Sequence, residues 1–189
     1  MQTIFQKLAL VVKDSQLRAR LFFVLGSLVL FRILAAIPVP GVDADRLAQF
    51  FSSNQLLGLL NIFSGGGLAN LSIVLLGVGP YITASIIMQL MTILFPKMKQ
   101  MYQEEGELGR KKFTQYSRLL TVPLAFIQGA SFLVLLSRQG IVTHLTKFDF
   151  LTNLLIIVAG SLLLMWLGEL ISEFGIGNGV SLIIFAGIV

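Results

Sequence analysis

The chain has 189 residues, of which 56% are hydrophobic and only 12% charged, about half the charged share of an ordinary soluble domain. It has no cysteine and a single histidine, His144, which excludes disulfides, thiolate catalysis and cysteine-built metal sites and leaves a zinc cluster short of ligands. The net charge of +5 would admit a nucleic-acid partner, but the placement of Lys and Arg along the chain points to a bilayer instead.

In residues 1–20, Ile4, Phe5, Leu8, Val11 and Val12 recur at helical spacing, with Lys7 and Lys13 between them. This cytoplasmic amphipathic segment is not a secretory signal peptide. It fits a short helix on the membrane surface and a soluble packing helix equally well. The first apolar stretch covers 21–37 and gives a span over about 21–38. It holds one charge, Arg32, and ends at Pro38-Val39-Pro40-Gly41. A charge at the bilayer centre costs about 2.5–3.5 kcal/mol. Arg32, however, lies only about 9 Å from the outer end of the helix, close enough for its side chain to reach the interface. A structural role is therefore favoured over ion transport.

Residues 55–63 are apolar but would form a helix only about 13 Å long, too short to cross, and Ser64-Gly65-Gly66-Gly67 follows. The segment 55–67 reads either as a re-entrant piece or as an interfacial helix. Irregular backbone at membrane depth survives only where protein or water satisfies it. The second apolar stretch, 71–95, carries no charge and as one helix would be about 37 Å long, enough to cross with tilt. On that helix Val78, Ile82, Ser85, Gln89 and Thr92 fall within an arc of about 80°. The stripe is apolar at its Val78 end and polar at the other, and Gly77, Gly79 and Pro80 loosen the helix beside the apolar part. Taken alone, such a stripe is more often a helix–helix contact than a wet cavity.

Three further spans are predicted over 119–136, 150–168 and 178–189. The connection 96–118 is charged and reads as a loop, and the last span runs to Val189 with no charged flank, which leads to the expectation of a fragment. Of fourteen Lys and Arg, ten lie on one side of this arrangement: Lys7, Lys13, Arg18 and Arg20, then Lys97, Lys99, Arg110, Lys111, Lys112 and Arg118. Arg46, Arg138 and Lys147 lie on the other. A cytoplasmic N-terminus follows from this bias. The same bias opposes a homodimer inserted both ways, so a second half is expected from the continuing polypeptide. Gly175-Ile176-Gly177-Asn178-Gly179 has neither the preceding strand nor the Lys-Ser/Thr of a phosphate loop. It is read as a flexible lead into the fifth span, with Asn178 or Ser181 as cap. Glu169 and Glu173, four apart, could form an acid/base pair, but no nucleophile or metal partner accompanies them and they read as solvated. No catalytic, cofactor-binding or metal-binding residue is assigned. A secondary-transporter half with inverted repeats is the alternative, although Arg32 is the only charge inside a span and lies off centre.

Several motifs resemble the SecY family of translocon subunits, in order along the chain. They are Phe31-Arg32-Ile33-Leu34 with Ile37-Pro38-Val39-Pro40-Gly41, Phe63-Ser64-Gly65-Gly66-Gly67-Leu68, the run Gly77 to Leu90, Glu105-Gly106-Glu107-Leu108-Gly109-Arg110-Lys111-Lys112, Trp166-Leu167-Gly168-Glu169, and Gly175 to Ser181. The resemblance implies an all-α polytopic membrane protein with a SecY-type channel fold, of which this is the first five-helix half with a re-entrant plug helix. It implies that Val78, Ile82 and Ile184 form half of an apolar pore ring. Asn61, Ile62, Phe63, Ser64, Gly65, Gly66, Gly67 and Leu68 would be the plug. Ser85, Ile86, Gln89 and, on the third span, Gln128 would form one wall of a lateral gate for signal sequences. Val78 stands where the family often has isoleucine, and Gly79 where it often has methionine or another apolar residue. The implied partners are the small subunits SecE and SecG, the SecA motor ATPase or the ribosome, signal peptides and nascent polypeptides, membrane lipids, and the C-terminal half of the channel. The implied location is the inner (plasma) membrane.

Overall fold

The computed structural model describes residues 14–40, 71–140 and 146–188. The plug segment (Asn61 to Leu68), the amphipathic pattern of residues 4–13, and His144 lie outside the described residues. Among them the chain forms six helices: α1 Ser15–Ala36, α2 Gly79–Leu94, α3 Pro96–Gln103, α4 Gly106–Arg138, α5 Lys147–Phe174 and α6 Gly179–Ile188. α1, α4 and α5 are each long and apolar enough to cross a membrane, and α2 with α3 would supply a fourth crossing if that bent pair is one span.

Local chemistry sets the helix ends. The Asp14 carboxylate accepts the Gln16 backbone N–H at 2.9 Å, and the Asp149 carboxylate accepts the backbone N–H of Thr146 at 3.2 Å, so orphan donors at the starts of α1 and α5 are satisfied. The Asn178 side-chain oxygen accepts the Ser181 N–H at 3.1 Å. Asn178 is thus the cap of α6, and Gly177 takes a left-handed φ of 82° in the turn before it.

The stretch 71–95 does not form the single helix expected. Residues 71–78 run as turns, and α2 begins only at Gly79. Gly77 takes φ 56° and Leu71 φ 40°, conformations a right-handed helix cannot contain, and Pro80 suits the first turn of a helix because it has no N–H to place. Protein groups replace the missing helical bonds. Val39 N–H donates to Leu71 O at 2.8 Å and Ile73 N–H to Ile37 O at 3.0 Å, while the Ser161 hydroxyl of α5 donates to Gly77 O at 3.0 Å. This is irregular backbone at membrane depth made tolerable by burial in protein. α5 allows the approach because residue 160 is glycine: a Cβ there would fall on the Ile73 carbonyl oxygen.

The connection 96–118 is likewise helical rather than an open loop, formed by α3 and the first turns of α4. Two apolar clusters hold the bundle together. One joins Val39, Leu71 and Leu75 to Ala125, Leu133, Leu136, Leu154 and Ile157. The other joins Val24, Phe31 and Ala35 of α1 to Val74, Val78, Leu164, Leu167, Ile171 and Ile183. The turns 71–78 thus contribute to both clusters, which fixes where α2 starts.

Candidate functional site: a cleft with an apolar floor

α2, α5, α6 and the first half of α4 enclose an open cleft of about 600 Å³. Ile82, Ser85, Ile86 and Gln89 line it from α2, and Ile184 with Val180 from α6. The helical period accounts for the α2 contribution, since residues 82, 85, 86 and 89 share one face. Val78 does not line the cleft. It is 4% exposed and lies in the buried cluster against which Ile82 and Ile184 pack from the cleft side. The three residues expected to form a ring therefore meet in one apolar group, with two of them facing open space.

Away from that group the lining becomes polar. Tyr81, Thr114, Ser172, Asn178 and Ser181 join Ser85 and Gln89. Ser172 also accepts the Gly179 backbone N–H at 2.8 Å, which ties the end of α5 to the start of α6. Gln128 is half-buried on α4 and is not among the residues lining the cleft. Ser85, Ile86 and Gln89 thus share the cleft lining, which does not include Gln128. Thr92 donates its hydroxyl to the Gln89 carbonyl at 2.7 Å, along its own helix, and contributes nothing to the lining.

The wall holds one pairing that the sequence reading missed. Arg118 Nε donates to Glu169 Oε1 at 2.6 Å across 51 residues of chain, so Glu169 is not simply solvated as expected. Its side chain is 15% exposed, against 48% for Arg118. Glu173, one turn on, is exposed and also faces the cleft. No local pattern links residues 118 and 169. The only available signal is opposite charge at corresponding ends of two neighbouring apolar stretches. Because Arg118 is half in solvent, a double-mutant cycle with Arg118→Gln and Glu169→Gln should give a coupling of about 1 kcal/mol. Thermal unfolding of the four proteins in detergent measures it, and additive effects would mean the pair contributes nothing.

Arg32 lies exposed in a second, apolar groove between α1 and α6, beside Leu28, Val29, Ile33 and Phe185. It is not among the residues that line the cleft. Among the described residues no group of His, Cys, Asp and Glu side chains is placed to hold a metal ion. What the cleft offers is a surface that is apolar at its floor and hydrogen-bonding along its walls.

Comparison with known proteins gives this arrangement a context. The SecY family model matches residues 72–189. The protein translocase subunit SecY of Pseudomonas aeruginosa is 48% identical over 177 residues, covering 93% of this chain and 40% of that protein. The same subunit of Escherichia coli K12 is 44% identical over 180 residues, covering 92% and 40%. The chain thus spans about two fifths of the length of these relatives. Among solved structures, a protein-conducting channel superposes with a TM-score of 0.59 at 25% identity, over 87% of this chain and 34% of that one. Sec61 in the canine ribosome–channel complex from the endoplasmic reticulum gives 0.56 at 26%, over 87% and 35%. The bundle of apolar helices thus has the fold of these channels, and the chain is a multi-pass membrane protein of the SecY family.

Proposed function

We propose that this chain forms one half of the protein-conducting pore through which secretory polypeptides cross the membrane and from which membrane proteins leave sideways. The observation that carries this reading is the change of character along the cleft, from Ile82 and Ile184, packed against the cluster that contains Val78, to Ser85, Gln89, Asn178 and Ser181. An apolar constriction bars ions by dewetting, and aliphatic side chains bind no particular residue of a passing peptide. Hydrogen-bonding walls on the approach keep an extended, hydrated chain in solution until it reaches the constriction.

In this reading Val78, Ile82 and Ile184 supply half of the ring, and the second half of the channel supplies the rest. Residues 61–68 act as a plug on a glycine hinge. Ser85, Ile86 and Gln89, with Gln128 farther along α4, form one side of the gate that receives signal sequences. The role is not enzymatic: energy for movement comes from a partner, SecA or the ribosome, and SecE and SecG complete the complex. The basic bias of the sequence supports a cytoplasmic N-terminus in the inner membrane, with the polar mouth of the cleft facing the cytosol.

A photo-crosslinking amino acid at Gln89 of the complete subunit tests this, with one at Phe22, which is exposed on α1, as the comparison. With a secretory polypeptide arrested across the membrane, the Gln89 probe should capture it and the Phe22 probe should not. Equal capture at both positions, or capture at Phe22 alone, would rule out the cleft as the path.

A further inference from the structure

At the end of α2 the chain turns by 111° into α3. Phe95 is extended, with φ −118° and ψ 115°, and Pro96 opens the next helix. A residue before proline is held out of the helical region, so the break is written in the sequence. α3 therefore runs across the direction of the spans rather than along it. The last turn of α2 is apolar and open, with Ile93 80% and Leu94 69% exposed and Phe95 half exposed. In a membrane protein such a surface belongs in hydrocarbon, which puts the bend at the hydrocarbon boundary.

α3 has two different faces. Met98 and Met101 are half-buried, and the Tyr102 ring lies 4.8 Å from that of Phe113 on α4, so one face is held by α4. Lys97 and Lys99 project from the exposed remainder, and Arg110 and Lys111 are exposed on the neighbouring turn of α4. Glu105 is taken by Lys112 at 3.6 Å. Among the described residues neither Lys97 nor Lys99 has an ion-pair partner. A helix lying across the span at the boundary, held on one side and cationic on the other, matches the phosphate layer of an anionic leaflet in depth and in charge.

We propose that α3 is an interfacial docking helix whose Lys97 and Lys99 bind the headgroups of anionic phospholipids. Through Phe95 and Pro96 that contact sets the position of α2 and of the cleft wall it carries. The inference rests on α2 crossing the bilayer, not on what passes beside it, so it can fail while the pore reading stands. Near an anionic surface each lysine favours the docked state about fivefold, so loss of both lowers the docked-to-free ratio about 25-fold.

The test uses the complete subunit in nanodiscs, with a single cysteine at Gln100 carrying an environment-sensitive fluorophore. In discs rich in phosphatidylglycerol the emission should shift to the blue and resist an aqueous quencher, relative to discs of phosphatidylcholine alone. The Lys97→Gln/Lys99→Gln variant should lose the response, and Lys97→Arg/Lys99→Arg should keep it. Identical emission in the two discs would overturn the proposal, as would a response that survives in the glutamine variant. A response to transfer RNA in neutral discs, with none to phosphatidylglycerol, would also overturn it and mark a nucleic-acid-facing surface.

Discussion

Replacing Ile82 with asparagine in the complete channel is expected to raise ion leak through the resting pore about tenfold. Ile82 is the member of the apolar group best placed for this test. Val78 is 4% exposed, and an amide there would be buried among Val24, Phe31 and Leu164 of the same cluster, so a folding defect would obscure any effect on conduction. Ile82 packs on that cluster yet faces the cleft, so an amide at this position can be solvated from the open side. A constriction stays dry because aliphatic walls offer water no hydrogen bonds. An amide in an apolar setting gains about 1–3 kcal/mol from a partner, and a barrier lowered by about 1.4 kcal/mol raises a rate tenfold. Conductance of single channels in planar bilayers, with no polypeptide present, measures this directly. Ile82→Leu keeps the apolar surface and should leave the leak unchanged. If the asparagine variant conducts no more than the parent, Ile82 does not line the seal.

The sequence made some parts of this architecture legible and hid others for physical reasons. α1, α4 and α5 follow from apolar runs that hold no charge besides Arg32, because lipid demands the same surface along the whole length of a span. The run 71–95 was misread as one helix because hydropathy registers only that a segment is apolar. The turns 71–78 are buried between α1, α4 and α5, and a buried turn needs apolar side chains as much as a helix does. Gly77, Gly79 and Pro80 carried the local signal for the break. The helices within 96–118 were masked by their charge, since exposed helical turns rich in Lys, Arg and Glu look like a solvated loop. The 3.6-residue period puts Ile82, Ser85 and Gln89 on one face but by itself favours a helix contact over the open cleft they line, whereas Ile184 came only from the family resemblance. The Arg118–Glu169 pair was not legible, because it depends on α4 and α5 lying side by side. Gln128, grouped with Ser85 and Gln89 by resemblance, is not among the residues that line the cleft with them.

Gly160 should be among the least replaceable residues of the described part, although it sits inside a helix where alanine would ordinarily be preferred. A Cβ at residue 160 would land on the Ile73 carbonyl oxygen, with the Ile73 carbon 2.8 Å away and the Val74 nitrogen 3.3 Å away. These are backbone atoms, so no rotamer change relieves the contact. Nor can the segment easily withdraw: it is fixed to residues 37–39 by the Val39–Leu71 and Ile37–Ile73 hydrogen bonds and to α5 by the Ser161–Gly77 bond. In an open helix, Gly→Ala stabilises by about 0.5–1 kcal/mol, while overpacking a tight contact costs about 1–3 kcal/mol. The clash should win for Gly160→Ala, and Gly160→Val should abolish stable folding of the bundle. Gly26 in α1 provides the internal comparison, because nothing lies within 4 Å of a Cβ there. Gly26→Ala should be neutral or slightly stabilising. Thermal unfolding of the purified variants in detergent should therefore move in opposite directions for the same substitution. Since residues 71–78 carry Val78 and deliver Ile82 to the cleft, Gly160→Ala should also make the resting channel leakier if it inserts. A Gly160→Ala protein as stable as the parent would mean that α5 and the turns 71–78 are not in contact, and the support for the floor of the cleft would have to be sought elsewhere.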